Sequence, residues 1–192
     1  SGGIVQYNLS SNSWGTSVLP SGQVDRVTAY ESSSGHTWIS WGEIGLEVYS
    51  PSGTKLGFWD NLEFPIREII EYDGLVLFAT EDGVERFNET SFSWETTWTP
   101  GNGLPNNMGD WVGELWTDGQ HLLVGSATFS GWGGFQRGIV GHLDGSTGTW
   151  STFNTGQNGV PNGYPLSMSV CGSYLYIGLF NNNGGAVYMD LN

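Results

Sequence analysis

The amino-acid sequence predicts an all-β protein built from repeats, and two observations support this prediction. Short apolar segments that each open on a glycine recur along the chain, with repeats starting near residues 3, 45, 83, 138 and 185. In addition, 31 of the 192 residues are glycine and 14% are aromatic, which is typical of many short strands joined by tight turns. Repeats about 40–55 residues apart in a strand-rich chain indicate a β-propeller, in which each repeat forms one four-stranded antiparallel blade.

Each repeat is expected to supply four strands, which we name a to d from the inside of the blade outwards. Strands a are predicted over residues 24–30, 66–72, 111–117 and 166–171, and strands b over residues 37–41, 75–79, 122–125 and 174–179. The b segments are almost continuously apolar, as expected of strands covered on both faces. The repeat glycine opens strand c, and in the first four repeats a tryptophan follows in strand d. Four aromatic residues at equivalent positions of strand c are expected to occupy equivalent packing sites between blades, namely Tyr7, Tyr49, Phe87 and Tyr188.

Turn motifs support the same assignment. Asp-Gly turns join strands a and b at Asp73-Gly74 and Asp118-Gly119, and Asp-Gly between apolar runs is a strong hairpin signal. Residues 103–107 read Gly-Leu-Pro-Asn-Asn, and residues 159–163 repeat this turn as Gly-Val-Pro-Asn-Gly. Together with the Leu-Tyr-Ile-Gly segment at residues 175–178, these motifs resemble the two-component regulator propeller family. The resemblance implies a β-propeller in an extracellular or periplasmic sensing domain.

The predicted strand order raises the question of ring closure. The chain begins with strands c and d, continues with three full sets, and ends with a, b and c. Residues 1–192 therefore form one propeller domain or a propeller segment, with about four blades. Three closures remain open: a four-bladed ring with one c strand displaced, a fragment of a larger propeller, or two chains that close one ring as a homodimer. Open blade edges favour association because unpaired strands seek partners.

Composition limits the classes of partner. The chain has 5 Lys and Arg against 19 Asp and Glu, for a formal net charge of −14. A polyanion would be repelled, so nucleic acid is not an expected partner. No apolar stretch is long enough to insert into a membrane. The one cysteine, Cys171, follows an apolar run and is predicted to be a buried thiol.

Ligand binding is predicted on the edge of the blades that carries the b–c and d–a loops, which share one face of a propeller. Trp41 and Trp132 fall in b–c loops, whereas Trp14, Trp59, Trp94 and Trp150 are expected to pack between blades. Residues 126–137 are interpreted as the longest b–c insertion. An exposed aromatic ring there can stack on a sugar or anchor a protein. The candidate binding residues are Trp41, Glu43, Glu81, Asp82, Asn106, Asn107, Phe129, Trp132, Asn162 and Asn182.

The sequence supports catalysis and metal binding less well than it supports ligand binding. The three histidines lie in or near turns without a metal-ligand spacing, and each is expected to be solvated. Glu43, Glu81 and Asp82 are the acids to consider for a polysaccharide hydrolase or lyase. Calcium could bind the oxygen-rich loops at residues 81–82 and 181–183, although ordinary turns explain these loops better. The sequence predicts no cofactor.

Two N-glycosylation acceptors, Asn8 and Asn88, fall in the c–d turns, on the face opposite the predicted ligand loops. The sequence therefore favours a non-catalytic binding module on an extracellular, periplasmic or cell-surface protein, with a glycan or a protein as its ligand. Two alternatives stay open: a propeller-fold hydrolase or lyase, and a structural component of a cell-surface assembly.

Overall fold

The computed structural model describes residues 4–8, 10–18, 26–62, 65–130, 134–157, 160–180 and 185–190. All regular elements in these ranges are β-strands. None of the described residues belongs to a helix that could cross a membrane. The chain divides into two compact units, residues 1–66 and residues 67–192, which are described separately.

The first unit contains a hairpin and one four-stranded sheet. The hairpin pairs strands β1 (Ile4–Asn8) and β2 (Ser13–Val18). The sheet has the antiparallel order β3-β4-β5-β6, with strands β3 (Thr28–Glu31), β4 (Thr37–Ser40), β5 (Leu46–Tyr49) and β6 (Lys55–Trp59). Trp38 of β4 is buried and stacks on Trp59, with 5.8 Å between ring centroids.

The second unit contains two four-stranded sheets and one three-stranded sheet. The first sheet is formed by β7 (Ile69–Tyr72), β8 (Leu75–Thr80), β9 (Gly83–Asn88) and β10 (Ser93–Trp94). A short parallel pairing of β11 (Thr99–Pro100) with β12 (Gly103–Leu104) follows. The second sheet is formed by β13 (Trp111–Thr117), β14 (His121–Phe129), β15 (Phe135–Asp144) and β16 (Thr149–Asn154), and the last sheet by β17 (Tyr164–Cys171), β18 (Tyr174–Phe180) and β19 (Gly185–Asp190).

These sheets confirm the predicted all-β class and the predicted antiparallel, sequential four-stranded sheets. A two-stranded hairpin, three four-stranded sheets and one three-stranded sheet follow one another in the predicted order. The a–b turn at Asp73-Gly74 has positive φ at both residues, 51° and 74°, which matches the twist of a tight hairpin. We therefore keep the names a to d for the strands of each sheet.

Apolar side chains from facing sheets form the core of the second unit. Leu77 of β8 and Val112 of β13 belong to one buried cluster. Leu123 of β14 and Ile177 of β18 belong to another, and both are buried as predicted for b strands. Burial of these side chains holds the consecutive sheets of this unit together.

The structure explains why a glycine opens strand c in successive repeats. A Cβ atom on Gly138 would overlap the carbonyl oxygen of Gly163, which crosses close to the start of β15. Gly83 faces the carbonyl of Trp98 in the same way, and its φ of 123° also excludes most other residues. Gly185 differs because nothing lies within 4 Å of the corresponding position. The close backbone contact is thus made in complete sheets and is missing in the three-stranded one.

Three packing predictions are wrong, and the incomplete sheets explain two of them. Trp14 is 71% exposed because its hairpin has only two strands in the described part of the chain. Tyr188 was expected to match the buried Phe87, yet it is 68% exposed because no described strand d covers β19. Cys171 is exposed rather than buried, since it ends β17 at the turn where Gly172 has a φ of 62°. The alternatives for ring closure stay predictions.

Candidate binding surface

A long hairpin arm dominates the b–c edge of the second unit. β13 and β16 pair with β14 and β15 only as far as Trp111↔Ala127 and Ile139↔Asn154. Beyond that point β14 and β15 pair only with each other, through Thr128↔Arg137 and Phe129↔Phe135. Residues 126–137 were interpreted as an inserted loop, but most of them extend the two strands. The register shift between Thr128 and Phe129 marks a bulge near the end of the arm.

Neighbouring d–a loops hold this arm on both sides. The Arg137 guanidinium donates a hydrogen bond to the carbonyl oxygen of Asn107 at 3.0 Å. The Asn107 side-chain amide in turn donates to the Thr152 hydroxyl at 2.8 Å. The Asn162 amide donates a long hydrogen bond, 3.5 Å, to the carbonyl oxygen of Gln136. Asn162 therefore supports the arm with its side chain, and Asn107 supports it with its backbone carbonyl.

Thr155 secures the base of the arm from inside the fold. Its buried hydroxyl donates to the carbonyl oxygen of Gly163 at 2.7 Å and accepts from the N–H of Gly138 at 3.1 Å. A buried hydroxyl with both roles filled fixes two backbone segments against each other. The d–a loop and the start of β15 consequently form one rigid support for the exposed arm.

Five aromatic rings collect at this edge, and we call them the aromatic rim. Tyr164 is central, with its ring centroid 5.1 Å from Trp111, 5.1 Å from Phe180 and 5.4 Å from Phe135. Phe129 lies 5.8 Å from Trp111 and 6.1 Å from Phe135. Phe129 and Phe180 are 40% and 56% exposed, so the rim presents apolar ring surface to solvent. Edge-to-face pairs such as Trp111 with Tyr164 also stabilise the cluster itself.

A cationic side chain, Arg67, contacts one ring of the aromatic rim. The Arg67 guanidinium lies 4.3 Å from the ring centroid of Trp111, within range of a cation–π interaction. Glu81 accepts a hydrogen bond from Arg67 at 2.8 Å. The Glu81 side chain therefore orients Arg67 over Trp111.

Trp41 does not provide an exposed ring, contrary to its candidate role. The side chain is 2% exposed, and its indole N–H donates to Glu47 Oε2 at 2.7 Å. Tyr49 donates to the same oxygen at 2.7 Å, and Lys55 forms an ion pair with Glu47. Partial burial alone would raise the pKa of Glu47, but the hydrogen bonds from Lys55, Tyr49 and Trp41 lower it. Trp41 is a packing residue with a satisfied polar atom.

The other candidate residues lie in both units, and two of them fall outside the described residues. Asn106 and Asp82 are exposed in the second unit, and Glu43 is exposed in the first. Trp132 and Asn182 lie outside the described residues. Of the acids named from the sequence, Glu81 is paired with Arg67, and Glu43 belongs to the first unit.

The structure also bears on the predicted metal and glycosylation sites. Among the described residues no group of three or more His, Cys, Asp or Glu side chains could hold a metal ion. The Asn88 carboxamide oxygen accepts hydrogen bonds from the N–H groups of Thr90 and Ser91, at 3.0 and 3.2 Å, so it stabilises the c–d turn. The side chain of Asn8 is not described. Use of either acceptor stays a prediction.

Sequence reasoning missed most of the aromatic rim. Trp111 was placed in a predicted strand a, and Tyr164, Phe180 and Arg67 were not named as candidates. A signal was available, because the first residue of each a strand and the last residue of each b strand lie at the same edge of a blade. Trp111 and Tyr164 begin strands a, and Phe129 and Phe180 end strands b.

Several solved structures share this fold, among them the following two. One is the extracellular domain of a putative hybrid two-component system from B. thetaiotaomicron, with a TM-score of 0.66, 17% identity and coverage of 88% of this chain. This chain spans only 24% of that one. The other is the computationally designed Ika4 protein, with a TM-score of 0.59, 11% identity, and coverage of 90% of this chain and 95% of that one. No protein-family model and no curated protein matches the sequence.

Proposed function

We propose that this chain is part of an extracellular, non-catalytic β-propeller module, and that its aromatic rim binds a neutral glycan. The exposed five-ring cluster at the edge of the b–c and d–a loops is the observation that carries the proposal. The extracellular location draws support from the fold neighbour in a two-component system. The repeat motifs support the same assignment, since they resemble propeller sensing domains.

The chemistry of the rim suits a sugar. The C–H face of a pyranose packs on aromatic rings, while its hydroxyls need hydrogen-bonding groups at the side. Phe129 and Phe180 supply exposed rings, and Asn162, two residues before Tyr164, is also exposed. The formal net charge of −14 disfavours an acidic polysaccharide, so the ligand is a neutral glycan.

Rigidity favours binding at the rim. The arm is held by Arg137, Asn162 and Thr155, and the rings contact one another before any ligand arrives. Preorganised side chains lose little conformational entropy on binding. The hydrolase or lyase alternative lacks comparable support, because Glu81 is occupied by Arg67.

A glycan array with the purified chain tests the proposal, followed by calorimetric titration of a retained glycan. We expect neutral glycans to be retained, and Phe129→Ala and Phe180→Ala each to weaken binding by at least about tenfold. Phe92→Ala is the matched control because Phe92 is also 40% exposed but lies in a c–d turn at the other end of a sheet.

Two outcomes would overturn the proposal. If the array retains no neutral glycan, the ligand class is wrong, and a protein ligand becomes the reading to pursue. If Phe92→Ala weakens binding as much as Phe129→Ala does, the ligand does not bind at the rim. Circular dichroism of each variant shows whether the fold is intact.

A further inference from the structure

Two histidines meet at the a–b edge of the sheet β13–β16, at the end opposite the aromatic rim. Leu123 pairs with His142 across β14 and β15, and His121 lies two residues before Leu123. His121 and His142 therefore share one face of the sheet as diagonal neighbours. Their ring centroids are 5.2 Å apart. The sequence, which separates them by 21 positions, gave no spacing by which to pair them.

Asp118 fixes the orientation of the first ring. Its Oδ2 lies 3.0 Å from His121 Nδ1, and its Oδ1 accepts the backbone N–H groups of Gln120 and His121 at 2.9 and 2.7 Å. Partial burial opposes ionisation of Asp118, but these hydrogen bonds outweigh it and lower its pKa to about 2. A carboxylate only accepts hydrogen bonds, so Nδ1 of His121 must carry the proton. Nε2 is then the ring nitrogen of His121 that is available to an ion.

His142 also offers a lone pair. Within the described residues neither of its ring nitrogens has a hydrogen-bond partner. Both rings line a cleft of about 230 Å³. Trp116 and Val170 form its apolar walls, and Ser173 adds a hydroxyl.

The separation of the rings fits two ligands on one ion. Zinc binds imidazole nitrogen at about 2.0–2.1 Å, which places the centroids of two rings on one tetrahedral ion roughly 5 Å apart. Imidazole suits zinc, copper and nickel, and a carboxylate on the other ring nitrogen is the usual outer-shell partner of a ligating histidine. The acidic surface of the chain also attracts cations.

We propose that Nε2 of His121 and a ring nitrogen of His142 bind one divalent transition-metal ion of the Zn²⁺ class, with Asp118 as a positioning residue. Two protein ligands leave the remaining coordination positions to water or to an external donor. The site is separate from the aromatic rim, so it stands or falls independently of the proposed glycan binding.

Zn²⁺ alone is the probe. Calorimetric titration of the full chain in a non-chelating buffer should give one ion per chain, and Zn²⁺ should raise the melting temperature by mass action. Asp118→Asn should weaken binding by about 10–100-fold, the usual loss for an outer-shell partner. His121→Ala and His142→Ala should each weaken it more. His36→Ala is the control, because His36 lies in the a–b turn of the first unit.

A second measurement distinguishes ligation from a change in stability. In ¹H–¹⁵N spectra of the imidazole nitrogens, Zn²⁺ should shift one nitrogen of His121 and one of His142, and leave His36 unchanged. His142→Gln provides a polar replacement if His142→Ala does not fold. The proposal is overturned if the chain takes up no Zn²⁺, if His36→Ala removes the bound ion, or if the His121 and His142 signals do not shift.

Discussion

The b–c ends of two sheets have the same connection length and opposite roles. Residues 41–45 join β4 to β5, and residues 130–134 join β14 to β15. Trp41, the first residue of the first connection, is buried, whereas Phe129, the last residue before the second connection, is exposed. The difference arises in the strands, since β4 and β5 have 4 residues each while β14 and β15 have 9 and 10. The greater length of β14 and β15, rather than a longer loop, therefore places Phe129 on the surface.

Replacing the two aromatic residues tests this comparison with the largest expected effect. Trp41→Ala should lower the free energy of unfolding by about 3–5 kcal/mol, because it empties a buried site and removes one of the hydrogen bonds to Glu47. Phe129→Ala should cost about 1 kcal/mol or less, since its ring contacts are partly exposed. Chemical denaturation measures both losses. Equal losses would show that the buried Trp41 and the exposed Phe129 contribute equally to stability, which contradicts the comparison.

The repeat glycines provide a second test of intermediate size. Gly138→Ala should cost about 1–3 kcal/mol, because the added methyl group meets the carbonyl of Gly163 at the base of the arm. Gly185→Ala is the matched control at the equivalent position of the three-stranded sheet, where the space is open. The control should be neutral or slightly stabilising. A loss at Gly185 as large as at Gly138 would mean that the close contact is not the reason for the glycine.

A smaller effect is expected in the dependence of stability on acidic pH, which tests the hydrogen bond between Trp41 and Glu47. The pKa of Glu47 is lowered in the folded protein, so Glu47 stabilises the fold above its usual value of 4.5. That contribution is lost as the pH falls through the folded pKa. Glu47→Gln should therefore reduce stability at pH 7 and flatten its decrease below about pH 4.5. If stability measured for Glu47→Gln decreases below about pH 4.5 as steeply as it does for the unaltered chain, the role assigned to the Trp41–Glu47 hydrogen bond is contradicted.

The sequence predicted the sheets well and the site poorly, for physical reasons. Glycine-led repeats and Asp-Gly turns are local signals, and they predicted the strand order that the structure has. Burial depends on distant neighbours: Trp41, predicted as a binding residue in a loop, is covered, and Trp14, predicted to pack, is exposed in an incomplete sheet. The rim unites Trp111, Phe129 and Tyr164 from different strands. Such contacts follow from sheet packing, which no single segment encodes.

The most direct test of the central claim is ¹⁹F NMR of the chain labelled with 5-fluorotryptophan, with and without a glycan retained on the array. Trp41→Phe and Trp111→Phe assign the two relevant signals. The account predicts that saturating glycan shifts the signal of Trp111, at the rim, and leaves that of the buried Trp41 in place. A shift of Trp41 with no change at Trp111 would contradict the claim that the aromatic rim is the binding surface.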